Sequence, residues 1–193
     1  MTLLYLRHGQ TDWNARDLVQ GRTDIPLNET GRAQARERAA ELVPHRPPAE
    51  IIYASPLLRA KETAEIIQRA LGVPLRFDDR LMEMCFGKLE GVPRTQLTGG
   101  SVFGHWAALG KAEFLRQGAE TAYALYERVG DFLDEIGARH AGQCVLVVAH
   151  GCVGRMVHWY FHGRDETDTT KYGNAVLRRY ESGQAGERPA FTR

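Results

Sequence analysis

Leu3-Leu4-Tyr5-Leu6-Arg7-His8-Gly9, residues 3 to 9, is an apolar run that breaks into a cation, an imidazole and a glycine. A short continuous apolar run reads as a strand buried on both faces, and such strands belong to parallel sheets. The run is too short for the apolar segment of a signal peptide or for a membrane span. A second stretch, Cys144-Val145-Leu146-Val147-Val148-Ala149-His150-Gly151, has the same design. In both, a histidine stands at the carboxyl end of an apolar strand, and the glycine after it lets the backbone turn closely around a ligand. Ligands of open α/β sheets bind beyond the carboxyl ends of the strands. His8 and His150 are therefore candidate site residues, and their matching positions argue against two unrelated surface histidines.

Between these strands the pattern alternates. Ala35, Ala39 and Leu42 recur at helical spacing, which predicts a helix over about residues 30–43, ended by Pro44, Pro47 and Pro48. Residues 51–54 read as a short strand. Ser55 and Pro56 read as the N-cap and first residue of a helix whose buried face carries Ala60, Ala64, Ile67 and Leu71, closed by Gly72. Residues 75–77 form a candidate strand, 84–100 a glycine-rich loop, and 102–116 a stretch with a short helix. Ala122, Leu125, Val129, Phe132 and Ile136 predict a long amphipathic helix. Another helix is expected over 151–161 and a last strand over 175–180. Strands alternating with helices imply an α/β fold of three layers, a mostly parallel central sheet with helices on both faces. The whole of residues 1–193 reads as a single domain with a small helical lid or insert around 92–118.

Composition narrows the function. Lys and Arg total 25 against 24 Asp and Glu, a formal net charge of +1. No overall field draws in nucleic acid or an anionic membrane, and neither is expected as a partner; an anionic ligand must be held by a local cluster. A homodimer is compatible with the sequence. Cys85, Cys144 and Cys152 are too few and too widely spaced for a disulfide framework or a zinc site, which suits a cytoplasmic protein. His158 and His162 have the i, i+4 spacing of a zinc pair, but the residue after His158 is Trp159, not the Glu of a metalloprotease helix. Phe103, Trp106 and Phe114 serve equally well to line a pocket or to pack a helical lid.

Arg59 falls in the first turns of a helix, where the helix dipole disfavours a cation. Next to Arg7 it would supply a second guanidinium. Two arginines, two imidazoles and helix N-terminal amides make a cage for a phosphate dianion.

The run Leu6-Arg7-His8-Gly9-Gln10-Thr11-Asp12-Trp13-Asn14 resembles the signature of the histidine phosphatase superfamily, the phosphoglycerate mutase-like family. Residues 20–28 (Gln-Gly-Arg-Thr-Asp-Ile-Pro-Leu-Asn) are similar to its next segment. Residues 55–64 resemble its arginine helix, 81–91 its acidic loop, and Ala149-His150-Gly151 its second histidine. The motifs fall in the family's order over about residues 3 to 177.

The resemblance implies a phosphomonoester hydrolase acting on a small phosphorylated metabolite. His8 would be the nucleophile and form a phosphohistidine. Arg7, Arg59 and His150 would hold the phosphoryl oxygens. Asn14, Gln20, Gly21, Arg22 and Gly151 would line the substrate site. Glu83 would protonate the leaving alcohol and then deprotonate water. No metal or other cofactor is called for, since phosphoryl transfer needs positioning and charge stabilisation above all. The family's usual Gly-Glu-Ser before the long helix is here Gly118-Ala119-Glu120-Thr121, and Asn174 follows Gly173 where the family usually has proline.

Two alternatives stand beside this reading. A cofactor-dependent phosphoglycerate mutase would carry a longer insertion and a tyrosine where Phe86 stands, whereas residues 86–91 resemble the phosphatase branch. A non-catalytic phospho-ligand binder would have lost the histidine or the acid, and both are present.

Overall fold

A strand that is apolar at successive positions must be covered on both sides. Leu3, Leu4, Tyr5 and Leu6 are all fully buried, in the strand β1 (Thr2–Arg7). The computed structural model describes residues 1–44, 48–97, 115–163 and 173–181. After β1 come α1 (Asp12–Ala15), α2 (Glu29–Leu42), β2 (Ile51–Ala54), α3 (Leu58–Leu71) and β3 (Leu75–Phe77). They are followed by α4 (Ala122–Arg139), β4 (Cys144–Ala149), α5 (Gly151–His162) and β5 (Leu177–Glu181).

The strands form one sheet in the order β3-β2-β4-β1-β5. The first four in this order run parallel, and β5 pairs antiparallel with β1. Alternation along each strand divides the core in two. Leu3, Tyr5, Tyr53, Val145 and Val147 meet Phe132 and Met156 of α4 and α5. Leu4, Leu6, Ile52, Leu146 and Val148 meet Ala39, Ala60 and Ile67 of α2 and α3. The three-layer architecture expected from the alternation is the one observed.

The register places the site. Arg7 stands opposite Ala149, and Ala54 opposite Val148. Beyond the ladder, the His8 amide donates to the Ala149 carbonyl and the Ser55 amide to that of Val148, both at 3.0 Å. Three neighbouring strands thus end level, and His8, His150 and Ser55 emerge side by side.

Two local expectations need correction. Ser55 does not cap α3. The N-cap is Leu57, which makes no side-chain cap, and Asp24 supplies one from a distant loop by accepting from the Leu58 amide at 2.7 Å. Ser55 is instead engaged by His150. The last strand begins at Leu177, not at Ala175, because Ala175 takes a left-handed φ of 55°. The expected lid falls largely on residues 98–114, outside those described, as do Phe103, Trp106 and Phe114. Its flanks meet, the Lys88 amide donating to the Gln117 carbonyl at 3.1 Å.

The loop after β1 is pinned against the start of α2. Asn28 caps that helix through the Gly31 amide at 2.9 Å. A Cβ built on Gly31 would lie 2.1 Å from the Gln10 carbonyl oxygen, and one on Gly9 would lie 2.4 Å from the Gly31 oxygen. Both contacts are with backbone, which cannot swing aside. In a free helix Gly→Ala stabilises by about 1 kcal/mol. Gly31→Ala should here do the reverse, lowering stability by roughly 1–3 kcal/mol through overpacking. A urea midpoint above that of the wild type would show that the two backbones are not locked together.

Candidate active site

His8 is the first residue past β1 and is only 2% exposed. Its Nδ1 lies 2.7 Å from the Gly9 carbonyl oxygen. A carbonyl only accepts, so Nδ1 carries the proton and Nε2 keeps its lone pair. Burial, then the charges of Arg59 and Arg7, hold its pKa well below the ordinary imidazole value. The ring is therefore neutral with a bare Nε2, the state a nucleophilic imidazole needs.

His150 occupies the matching position after β4. It is fully buried, and its ring centroid lies 5.2 Å from that of His8. Its Nε2 lies 2.8 Å from Ser55 Oγ. Burial first, then Arg59, His8 and Arg7, push its pKa well below the ordinary value.

Arg59, the second residue of α3, is 1% exposed. Two carbonyls aim its guanidinium: Nη1 donates to Thr23 at 3.0 Å and Nη2 to Gly21 at 2.7 Å. Its Nε is buried with no partner among the described residues. Burial pulls its pKa down to about 10. Arg7 ends β1; burial lowers its pKa too, and the nearby Glu83 charge works against that shift.

Glu83 is buried. Its Oε1 accepts from the Met84 amide at 2.9 Å and its Oε2 from the Cys152 amide at 3.3 Å, at the start of α5. A Cβ built on Gly151 would sit 3.9 Å from both Arg7 Nε and Glu83 Oε2. His8, His150, Arg7, Arg59, Glu83 and Gly151 thus converge on one end of the sheet.

The remaining candidates lie around this group. Asn14 Oδ1 accepts from the Thr11 amide and from Asn174 Nδ2, both at 3.2 Å, which turns its NH₂ away from them. Gln20 is buried against the Thr11 hydroxyl at 3.1 Å. Gly21 contributes its carbonyl to Arg59; it has a φ of +58°, and a Cβ there would lie 2.1 Å from Glu90 Oε1. Arg22 reaches the Glu83 carbonyl through Nε at 3.3 Å and Glu120 through Nη2 at 3.4 Å. The contacts of Gln20, Gly21 and Arg22 are with protein groups that border the site.

Several residues that sequence reasoning left without a role hold the site together. Asn174 donates to the His8 and Gly9 carbonyls at 3.1 and 3.2 Å. Glu90 accepts from the amides of Arg22 and Phe86, both at 3.0 Å, and of Thr23 at 2.8 Å, joining the loop after α1 to the acidic loop. Glu120 forks onto Arg128 at 2.8 and 2.9 Å. Arg128 in turn donates to the Glu83 carbonyl at 3.2 Å. Thr121 caps α4 through the Ala124 amide at 3.0 Å. The Glu120-Thr121 pair ahead of the long helix was the signal available, but it carries no information on which loop it grips. His158 and His162 lie 4.6 Å apart, ring to ring, and among the described residues no group of three or more His, Cys, Asp or Glu could hold a metal ion.

Comparison with known proteins bears on the family and the fold. The family model of the histidine phosphatase superfamily (branch 1) matches residues 3–190. The chain is 35% identical to the uncharacterized phosphatase PhoE of Bacillus subtilis, over 91% of this chain and 86% of that one. It is 33% identical to phosphoserine phosphatase 1 of Hydrogenobacter thermophilus, over 89% and 81%. The solved structure of Bacillus stearothermophilus YhfR superposes with a TM-score of 0.79 at 29% identity, covering 93% of this chain and 90% of that one.

The electrostatics carry a stability consequence. His8 and His150 have lowered folded-state pKa values, so the stability they contribute is present above the unfolded value of about 6.5 and is lost as pH falls below it. Burial alone would raise the Glu120 pKa, but the hydrogen bonds and charge of Arg128, with the charge of Arg22, hold it below the ordinary value. Its contribution is present above about pH 4.3 and fades at more acid pH. Urea unfolding over a pH series should therefore show stability declining in two stages on acidification. His150→Gln should weaken the first stage and Glu120→Gln the second. A wild-type midpoint that stays flat down to about pH 5 would contradict the neutral, buried state assigned to the imidazoles.

Proposed function

We infer that this chain, a phosphatase that belongs to the histidine phosphatase superfamily (branch 1), hydrolyses small phosphomonoesters through a phosphohistidine formed on His8. The observation that carries the reading is the 2.7 Å contact of buried His8 Nδ1 with the Gly9 carbonyl, which leaves Nε2 bare beside two guanidiniums and a second imidazole.

The reaction follows from that arrangement. A phosphomonoester dianion enters the positive site and its oxygens take donors from Arg7, Arg59, His150, the Gly151 amide and the side-chain NH₂ of Asn14. The His8 Nε2 lone pair attacks phosphorus as the bond to the leaving oxygen breaks. Glu83, as general acid, gives a proton to that oxygen. The phosphorylated ring keeps Nδ1–H on the Gly9 carbonyl, which stabilises its positive charge. Glu83, now ionised, takes a proton from water as the water attacks phosphorus, and the P–N bond breaks to return neutral His8. One acid serves both halves because the first leaves it ready as a base. Preorganised donors around the developing charge supply the main stabilisation. Gly21 and Arg22 act by holding Arg59 and the Glu83 loop in place, and Gln20 braces Thr11. The three free cysteines support a cytoplasmic setting.

His8→Ala should fold yet lose turnover almost completely, and acid-sensitive, base-stable phosphate trapped on the quenched wild type should be absent from it. Full activity in that variant would remove the nucleophile from the scheme. Glu83→Gln should slow alkyl phosphates by roughly 10²–10⁴-fold. The burst of nitrophenolate from p-nitrophenyl phosphate should change little, since that group leaves without a proton. Equal small losses on both substrates would show that Glu83 is not the acid.

A further inference from the structure

The pair formed by Ser55 and His150 has a donor and acceptor count that admits one arrangement. Both side chains are fully buried. Ser55 Oγ accepts from the Leu57 amide at 3.3 Å, and its other partner is His150 Nε2 at 2.8 Å. A hydroxyl has one proton to give. If Nε2 carried a proton, Ser55 would face two donors, and its own proton would be buried with no acceptor among the described residues. If Nε2 is bare, the serine proton goes to it, Oγ accepts from Leu57, and both Ser55 Oγ and His150 Nε2 are satisfied. Which ring nitrogen of a histidine is protonated is set by the bond the other makes.

We propose that Ser55 is a positioning residue that locks His150 in the tautomer with its proton on Nδ1, so that Nδ1–H is the donor offered to the transferring phosphoryl group. The identity of that acceptor rests on the phosphatase reading above; the tautomer does not. Two further observations support it. His150 Nδ1 is buried with no partner among the described residues, the condition of a donor whose acceptor is the ligand. The ring also lies beside His8, and burial first, then the charges of Arg59 and Arg7, keeps it neutral. A neutral ring must have its one proton on the correct nitrogen to donate at all, and a lone pair there would repel a phosphoryl oxygen. The main chain holds the serine in place: its amide bonds the Val148 carbonyl at 3.0 Å, at the end of β2 beside β4.

The test reads the tautomer directly. Long-range ¹H–¹⁵N NMR on labelled protein, with the His150 signals assigned by their loss in His150→Gln, should show Nδ1 protonated and Nε2 bare in the wild type. In Ser55→Ala, with an unchanged circular dichroism spectrum, the proton should redistribute toward Nε2. The inhibition constant of inorganic phosphate should then rise, and kcat on p-nitrophenyl phosphate should fall roughly 10-fold or more, approaching the loss that follows removal of a preorganised donor. Nε2 protonated in the wild type, or an unchanged tautomer in Ser55→Ala, would overturn the proposal whatever the activity. If the alanine variant does not fold, the wild-type spectrum still decides. Nδ1 protonated in a wild type that hydrolyses no phosphomonoester would instead fell the phosphatase reading and leave the tautomer standing.

Discussion

The end of this sheet is organised around keeping two guanidinium cations out of water. An isolated buried charge is costly, and the protein meets that cost differently for each. Arg59 hands two of its nitrogens to the carbonyls of Gly21 and Thr23. Arg7 lies within the field of Glu83. His8 and His150 take the other route and shed their protons. Two guanidiniums against the single carboxylate of Glu83 leave a surplus of positive charge, and that surplus favours an anion at the site. The same arithmetic explains why so little net charge on the chain is no obstacle to binding an anion: the field is local, and low-dielectric surroundings strengthen it.

Holding cations there demands rigid loops, yet the loops beyond a parallel sheet have no ladder of their own. Their backbone groups must find partners elsewhere. Asp24, Glu90, Glu120 and Asn174 serve this need, each bonding main-chain groups at or around the site. Asp24 caps α3, the helix that carries Arg59, from a separate loop. Glu90 draws residues 22 and 23 onto the acidic loop, which fixes the segment whose carbonyls aim Arg59. Glu120 locks Arg128, which grips the Glu83 carbonyl. The carboxylates that surround the site thus act on it through backbone rather than through ligand.

This division also explains what could be read in the sequence. The bounds of β2 and β4 follow from apolar runs closed by turn residues, and the two histidines follow because His8 is the next residue after β1 and His150 the next after β4. Ser55 misleads because Ser-Pro is a sound local signal for a helix start, and only the fold reveals a competitor 95 residues away in His150. Asn174 bonds the main chain of His8 across 166 positions, a pairing to which no periodicity points. The start of β5 is set by Ala175, whose left-handed backbone no propensity for alanine announces. Local signals failed where a side chain answers to a distant strand end.

The two histidines show how one tautomer can serve two tasks. In each, the proton rests on Nδ1. His8 donates it to the Gly9 carbonyl, an acceptor that can never donate back, so the far nitrogen is obliged to stay bare and can attack. For His150 the far nitrogen must be occupied instead, so that Nδ1–H is the end left for the phosphoryl oxygen. A carbonyl against Nε2 would call for a proton there and invert the ring's polarity. A hydroxyl already committed as acceptor to the Leu57 amide has only a proton left to offer. In the proposed reaction the chemical type of the partner, carbonyl for one ring and hydroxyl for the other, therefore separates nucleophile from donor in a pair of otherwise similar strand-end histidines. The first partner is main chain and comes with the turn at Gly9, whereas the second is a side chain and depends on serine being the residue at position 55.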